Sequence, residues 1–175
     1  MRNDEVILVD HEDRQTGIMD KMEAHEKGLL HRAYSVFVFN EKNELLLQKR
    51  AEGKYHSPGL WTNTCCSHPQ PGEDIMKSAR DRLFYEMGIK GGLTYHSKIT
   101  YKAVFENGLT EHEVDHLYTC VSNAFPSVNP EEVSDWKYVS LLKVADEINQ
   151  FPDHFTPWFK LIVAKKVLIP DFAGR

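Results

Sequence analysis

The sequence predicts an α/β fold in which a mixed β-sheet is sandwiched between helices, as one domain spanning residues 1–175. Three observations predict it. Segments rich in β-branched and aromatic residues lie on both sides of a central amphipathic helix, and two more helical segments close the chain. No repeat, linker or low-complexity tract divides it. A length of 175 residues suits one domain with a substantial core.

The first half of the chain contains three predicted strands and a short helix. Residues 5–10 form a short apolar β-run, and a helix is expected over residues 20–27. Residues 33–40 are dense in Val and Phe, and a polar turn leads from them to residues 45–49. We expect these last two strands to pair as a hairpin.

Residues 61–89 are the stretch around which the other elements are arranged. It begins with Cys66 and His68, turns at a Pro-Gly pair, and continues as an amphipathic helix with Glu86 near its end. The apolar positions of that helix follow at helical spacing: Met76, Ala79, Leu83 and Met87. One thiol, one imidazole and one carboxylate therefore belong to the same stretch.

The second half contains another predicted hairpin, a strand and two helices. The hairpin strands, residues 94–105 and 110–122, are joined by a Glu-Asn-Gly turn. A strand follows at residues 135–140. Ser140 is the predicted N-cap of the next helix, and Thr156 is the predicted N-cap of the last helix, which begins with a proline.

Glu111 and Glu113 lie two residues apart on a predicted strand, so they share one face of it. Charge on an exposed face is the common explanation of such a pair, yet the apolar neighbours indicate that this strand packs in the core. Two inward carboxylates need a cation or a shared proton. His25 and His31, which flank a glycine loop, suggest metal ligation more than a single histidine would.

Composition and charge restrict the class of function. A 41% share of hydrophobic residues with 27% charged residues is typical of a soluble globular protein. The net charge of -5 and the lack of a basic block disfavour nucleic acid as a partner. No apolar run is long enough to span a membrane, and no signal-peptide pattern is present, so we expect a cytoplasmic protein. Three cysteines form an odd set, which suits a reduced compartment.

The central stretch resembles the hydrolase signature of the Nudix superfamily, G-x5-E-x7-R-E-U-x-E-E-x-G-U, where U is apolar. Aligned on the final glycine and isoleucine, the match keeps Glu73, Leu83 and Glu86. Four positions depart from the signature: Ser67, Asp81, Arg82 and Tyr85. The glutamates of the signature normally hold divalent ions that activate water, so the resemblance implies a Nudix-like fold without diphosphate hydrolysis.

Further motifs narrow this resemblance. In chain order they are TG-x3-K, HRAYSVFVFN, LLLQKR, PGLWTNTCCSHP, TEHE and a late TPW. Each motif is weak alone, but together and in this order they cover most of the chain. The sequence thereby resembles the type 1 isopentenyl diphosphate isomerases, a family of the Nudix superfamily.

The resemblance implies two metal sites and a set of cationic contacts. Three imidazoles and two carboxylates, suited to Zn²⁺ or Mn²⁺, are the implied ligands of one ion: His25, His31, His68, Glu111 and Glu113. Glu86 and the backbone carbonyl of Cys66 are the implied ligands of a Mg²⁺ ion bound with the substrate diphosphate. The implied diphosphate contacts are Lys21, Arg50, Lys54 and Arg82.

The reaction implied by the resemblance is a 1,3-allylic proton shift that converts isopentenyl diphosphate into dimethylallyl diphosphate. Cys66 and Glu113 are the implied catalytic pair, on opposite faces of the substrate. In the forward direction we expect Glu113, aided by Tyr101, to protonate the terminal methylene, while Cys66 removes a proton from the carbon nearer the oxygen. Trp158 is expected to offer its indole face to the carbocation. A thiol becomes a base only where a cationic neighbour lowers its pKa.

Some features stay outside the resemblance. Six histidines match no ligand of the family and are interpreted as surface or structural residues: His11, His56, His96, His112, His116 and His154. Two other functions remain open, a Nudix-type pyrophosphatase and a non-catalytic, metal-stabilised binding module. The expected partner is a small-molecule substrate, and the expected oligomeric state is a monomer or a weak dimer.

Overall fold

A computed structural model describes residues 4–168, so the predicted domain ends at residues 1 and 175 lie outside the described residues. The strands are β1 Glu5–Val9, β2 Gln15–Asp20, β3 His31–Phe39, β4 Glu44–Arg50, β5 Trp61–Thr62, β6 Cys65–Ser67, β7 Thr94–Val104, β8 Thr110–Val121 and β9 Val133–Ser140. The α-helices are α1 Lys21–Lys27, α2 Ile75–Met87, α3 Leu141–Gln150 and α4 Pro157–Ala164, and a short 3-10 helix occupies Pro152–His154. No helix in this part of the chain is long and apolar enough to cross a membrane.

Strand β3 lies at the centre of a mixed sheet. It runs parallel to β8 and antiparallel to β1, β4 and β6. Strand β7 extends the sheet beyond β8, and β9 pairs antiparallel with β4. The predicted α/β class with a mixed sheet is confirmed.

The two faces of β3 pack against different helices. Tyr34, Val36 and Val38 belong to the apolar cluster that contains Leu83 of α2. Phe37 and Phe39 belong to a second cluster, which includes Phe159 and Ile162 of α4. A central strand that is buried on both faces explains why this segment is apolar without alternation. The sheet therefore lies between helices, as the fold prediction requires.

The predicted hairpin of residues 33–40 with 45–49 is confirmed at its turn, where the strands pair antiparallel, and is wrong beyond it. Strands β3 and β4 share a single register pair, Phe39 with Leu45, before they diverge. Beyond the turn β3 pairs with β8 and β6, whereas β4 pairs with β9 and β5. These long-range pairings bury both strands more completely than a local hairpin would. The other predicted hairpin, β7 with β8, is confirmed over most of its length.

The helix ends follow from local side-chain chemistry. Ser140 caps α3 by accepting a hydrogen bond from the Lys143 amide at 3.3 Å, as predicted. Thr156 precedes α4 but makes no capping bond, because its hydroxyl donates instead to the Thr62 hydroxyl at 2.9 Å. This hydrogen bond connects the start of the last helix to β5. Gly88 ends α2 in the left-handed conformation, two residues after Glu86.

Candidate active site

The pairing of β3 with β8 positions the centre of the candidate active site. His31, the first residue of β3, is the register partner of Glu113 on β8. Glu111 and Glu113 share the buried face of β8, as predicted, and each is about 5% exposed or less. His25 lies in the last turn of α1, and His68 follows β6 directly. Four separate segments of the chain thus converge.

The five predicted metal-ligating side chains meet in one cluster. Ligand atoms of His25, His31, His68, Glu111 and Glu113 all lie within 4.8 Å of one another. The His25 Nε2 atom lies 2.9 Å from Glu111 Oε2, and the His68 Nε2 atom lies 2.8 Å from Glu113 Oε1. The His31 Nε2 atom is 3.5 Å from Glu113 Oε1 and 3.8 Å from Glu111 Oε2. This geometry can hold a metal ion.

The environment of His31 tests whether an ion fits. Its Nδ1–H donates to the Leu29 carbonyl at 2.8 Å, so a neutral ring presents the lone pair of Nε2 to the carboxylates of Glu111 and Glu113. That Nε2 atom is buried and has no hydrogen-bond partner among the described residues. Burial lowers the pKa of His31, but Glu113 and Glu111 outweigh burial and raise it, so positive charge is favoured at this position and a metal ion can take the place of the Nε2 proton. A cation satisfies a buried lone pair that faces two carboxylates, so these residues fit a metal ion.

The protonation states of Glu111 and His68 also suit a metal ion. Burial raises the pKa of Glu111, but hydrogen bonds from His25 and His56 outweigh it and hold that pKa well below its usual range. Burial lowers the pKa of His68 despite the nearby Glu113. An ionised carboxylate and a neutral imidazole are the forms that ligate metals.

Cys66 and Glu113 line the same cavity, and each has a defined neighbourhood. Cys66 lies on β6 opposite Ser35. Glu113 accepts a hydrogen bond from the Tyr101 hydroxyl on Oε2, while Oε1 faces His68. Burial raises the pKa of the Cys66 thiol, and the guanidinium of Arg50 opposes that rise without cancelling it. The thiol is therefore protonated in this state of the protein.

The predicted cationic residues line the same cavity. Lys21, Arg50, Lys54 and Arg82 are all among its lining side chains. The Arg82 Nε atom donates to Glu86 Oε1 at 2.7 Å. Arg82 occupies a position where the Nudix signature has a glutamate. A guanidinium here replaces one carboxylate of the hydrolytic cluster and binds another.

Two further groups organise those cations. The carboxylate of Glu132 accepts from Lys54 at 2.5 Å and lies 3.0 Å from a terminal nitrogen of Arg82. The amide of Gln48 donates to Glu86 Oε2 at 2.8 Å, so both oxygens of Glu86 are bonded. Neither Glu132 nor Gln48 was predicted. The sequence did contain an indication of Gln48, since it is a polar residue directly after three apolar residues of β4 and is buried as they are.

Aromatic side chains form one wall of the cavity. Trp158, which lines the cavity, is 3% exposed. The guanidinium of Arg50 lies 5.2 Å from its ring centroid, and Phe105 packs edge-on against it at 6.3 Å. His56 and Tyr55 complete this wall. The cavity is thus lined by both cationic and aromatic side chains.

Of the two interpretations of His56, as a surface or as a structural histidine, the structure excludes the first. His56 is 5% exposed, lines the cavity, and its Nε2 atom lies 2.9 Å from Glu111 Oε1. No periodic pattern marks its loop, and only its place two residues after Lys54 could have drawn attention to it. His112 behaves as predicted, since it bonds the Gly28 carbonyl at 3.1 Å on the face away from the cluster.

Comparison with known proteins defines the class to which this fold and site belong. The model of the NUDIX domain matches residues 29–159. A crystal structure of a protein from Deinococcus radiodurans superposes with a TM-score of 0.77 at 16% identity, covering 92% of this chain and 98% of that one. The MutT protein from Methanosarcina mazei gives a TM-score of 0.63, also at 16% identity, over 79% of this chain and 92% of that one. These likenesses establish a Nudix fold.

Relatives with higher identity define the family more narrowly. The isopentenyl-diphosphate Delta-isomerase of Pectobacterium atrosepticum is 49% identical over 168 residues, which are 96% of this chain and 92% of the relative. The isopentenyl-diphosphate Delta-isomerase 2 of Photorhabdus laumondii is 48% identical over 158 residues, which are 90% of this chain and 89% of the relative. The chain belongs to the Nudix superfamily and, within it, to the isopentenyl-diphosphate Delta-isomerase family.

Proposed function

We propose that this protein converts isopentenyl diphosphate into dimethylallyl diphosphate by a 1,3-allylic proton shift. The observation that carries the proposal is one cavity lined by both Cys66 and Glu113, next to a metal-binding cluster. A thiol and a carboxyl group can exchange protons with a hydrocarbon that is held between them. The names of the relatives supply the substrate.

The diphosphate would bind to the cationic side chains of the cavity. Lys21, Arg50, Lys54 and Arg82 offer charge-assisted hydrogen bonds to its oxygens. Glu86 and the backbone carbonyl of Cys66 would hold Mg²⁺ together with the diphosphate. The charge of that ion would offset part of the negative charge of the diphosphate. Such local positive charge is needed because the whole chain carries a net charge of -5.

The histidine and glutamate cluster would hold a second divalent ion, and its nitrogen-rich donor set suits Zn²⁺ or Mn²⁺. The ligands would be His25, His31, His68, Glu111 and Glu113. Such an ion, when bound, acts as a Lewis acid that polarises the Glu113 carboxyl group. The histidines keep Glu113 oriented, and Tyr101 donates to its second oxygen.

Two proton transfers complete the reaction. Glu113 gives a proton to the terminal methylene, which leaves a tertiary carbocation, and Cys66 then takes a proton from the carbon nearer the diphosphate. The electrons of that C–H bond form the new double bond. The forward step needs the thiolate form of Cys66, and Arg50 is the cation that favours this form against burial. Reversal exchanges the roles of the two residues.

The walls of the cavity protect the carbocation. Burial of Trp158 and its aromatic neighbours excludes water, which would otherwise add to the cation. The indole face attracts a cation with an energy of about 2 kcal/mol in a desolvated site. A free thiol in such a site stays reduced in the cytoplasm, where we place the reaction.

The departures at Asp81, Arg82 and Tyr85 disfavour the pyrophosphatase alternative, because the hydrolytic carboxylates are missing. The test incubates isopentenyl diphosphate with Mg²⁺ and the Zn²⁺- or Mn²⁺-loaded protein. Proton NMR follows the products, and a colorimetric assay follows phosphate release. Dimethylallyl diphosphate without phosphate supports the proposal. Phosphate release would favour the hydrolase, and the absence of both products would favour the binding module.

A further inference from the structure

We infer that His56 is a positioning residue, which donates a hydrogen bond to one oxygen of Glu111 and thereby directs the other oxygen toward the metal centre. The inference rests on the metal centre of the proposed function and adds to it a residue outside the ligand set. His56 does not ligate the ion in this account. It acts through Glu111.

The two oxygens of Glu111 have different surroundings. Oε2 faces the cluster, at 2.9 Å from the His25 Nε2 atom and 3.8 Å from the His31 Nε2 atom. Oε1 has a different partner, the His56 Nε2 atom, at 2.9 Å. One oxygen is thus available to an ion while the other is bonded to His56. A ligating carboxylate that is hydrogen-bonded in this way keeps a fixed orientation.

The proton in this hydrogen bond belongs to His56 Nε2. A neutral imidazole has one N–H, and the ring nitrogen that has an acceptor within reach is Nε2. The Nδ1 atom of His56 is buried and has no hydrogen-bond partner among residues 4–168. The Nε2–H tautomer therefore satisfies Glu111.

The ring of His56 is held on several sides. It stacks on Phe105 with centroids 5.0 Å apart and planes 10° apart, and it meets Trp158 edge-on at 5.3 Å. Tyr55 packs edge-on against it at 4.3 Å. The backbone carbonyl of His56 accepts a hydrogen bond from Arg50 at 3.1 Å. A donor fixed by such contacts loses little entropy when it bonds a carboxylate, so it is suited to a positioning role.

The test compares His56→Gln with His56→Met. Both new side chains have similar length, but glutamine alone carries an N–H donor that can reach Glu111. Competition with a chromogenic chelator gives the Zn²⁺ affinity of each full-length protein, and thermal unfolding of the metal-free form checks its fold. His96→Met is the matched control, because His96 is exposed on β7 and outside the site.

We expect His56→Met to weaken Zn²⁺ binding by about 10–100-fold, while His56→Gln stays within about threefold of wild type. The His96→Met control should bind as wild type does. A folded His56→Met protein that binds Zn²⁺ as tightly as wild type would refute the inference, as would a His56→Gln protein weakened to the same extent. If His56→Met does not fold, His56→Phe takes its place, since it keeps the ring contacts without the donor.

The turnover of isopentenyl diphosphate by the same wild-type sample distinguishes a failure of the proposed function from a failure of the role of His56. Wild type that turns over the substrate, with a His56→Met protein of unchanged Zn²⁺ affinity, would contradict the role of His56 alone. Wild type that binds no Zn²⁺ would contradict the metal centre and the inference together.

Discussion

Three acidic residues alternate on the buried face of β8, and each has a different environment. Histidine hydrogen bonds hold Glu111 ionised despite its burial. Glu113 lies between His68 and Tyr101, where a proton can be transferred. Asp115 is fully buried, and burial together with the charge of Glu113 raises its pKa well above the usual range. The strand thus presents an ionised carboxylate and a neutral carboxylic acid on one face.

The state of Asp115 predicts how stability depends on pH. Its folded pKa lies above the unfolded value of 3.8, so above pH 3.8 the unfolded chain loses a proton that the folded protein keeps. This group therefore makes wild type less stable as pH rises, by up to about 1.4 kcal/mol per pH unit. Asp115→Asn removes the dependence, and its Oδ1 can still accept from Ser35.

Urea unfolding between pH 4 and pH 8 checks this prediction. The stability of Asp115→Asn relative to wild type should increase with pH, whereas Asp146→Asn, an exposed change on α3, should show no such trend. A difference between Asp115→Asn and wild type that stays constant over the whole pH range would contradict a neutral buried Asp115.

The residues of the candidate site were predictable to different degrees. Cys66 and four of the five cluster residues lie in motifs that the resemblance covers, and His25 stands in the segment between the first two of them, so the resemblance indicates all six by position. His56 and Glu132 lie outside those motifs, and Gln48 lies within LLLQKR, where the resemblance gives it no role. Their roles depend on which strand pairs with β4 and how one loop folds over the cavity, and local spacing carries neither piece of information.

At the scale of elements, the end of α2 positions Glu86. Gly88 ends the helix with φ of 67°, and its N–H bonds the Phe84 carbonyl. The Glu86 carbonyl accepts from the Asn129 amide at 2.9 Å, and the Met87 carbonyl accepts from Ser127. A loop is therefore fastened to the last turn of α2, and the Glu86 carboxylate is fixed between Gln48 and Arg82.

Replacement of Gly88 tests this fastening. A Cβ atom there would lie 2.6 Å from the Ser127 carbonyl oxygen, in addition to the strain of a positive φ. The matched control is Gly72→Ala, with φ of 81° and no atom within 4 Å of the added Cβ. The control should cost about 1–2 kcal/mol of unfolding free energy. Gly88→Ala should lower the unfolding free energy by at least about 1 kcal/mol more than the control does, as measured by urea unfolding. Equal losses would contradict a close fit at this turn.

The elements themselves were easier to predict than their pairing. Composition and period indicate the strands and helices, and the N-cap of α3 follows from a single residue, Ser140. The short edge strand β2 was missed because most of its residues are exposed or half-exposed and lack an apolar pattern. The partners of β3 lie far away in sequence, so a full-length hairpin with the adjacent strand was the natural but mistaken expectation.

At the scale of the whole molecule, the metal-binding cluster joins distant parts of the chain. Its ligands come from α1, β3, the end of β6 and β8. Without a cation, two carboxylates and the lone pair of His31 face one another in a buried space. An ion that binds the folded chain but not the unfolded chain should therefore stabilise the entire fold.

Metal removal tests this coupling. Zn²⁺ at about 100 times its Kd should add about 2.7 kcal/mol and raise Tm by about 5–10 °C over the chelator-treated protein. His68→Ala, which removes one ligand, should reduce that rise, whereas His96→Ala should keep it. Scanning calorimetry with and without chelator makes the measurement. Equal Tm values for the metal-loaded and chelated wild type would exclude a structural contribution from the ion.

The central claim is that protons are exchanged between Cys66, Glu113 and an alkene. Deuterium uptake from heavy water tests this claim most directly. The metal-loaded wild type should place deuterium in the allylic carbons of isopentenyl and dimethylallyl diphosphates, as seen by NMR. Cys66→Ala and Glu113→Gln should lower that rate by at least about 100-fold, with folding intact and with the metal content of Cys66→Ala unchanged. No uptake by the metal-loaded wild type, or uptake by Cys66→Ala at the wild-type rate, would contradict the account.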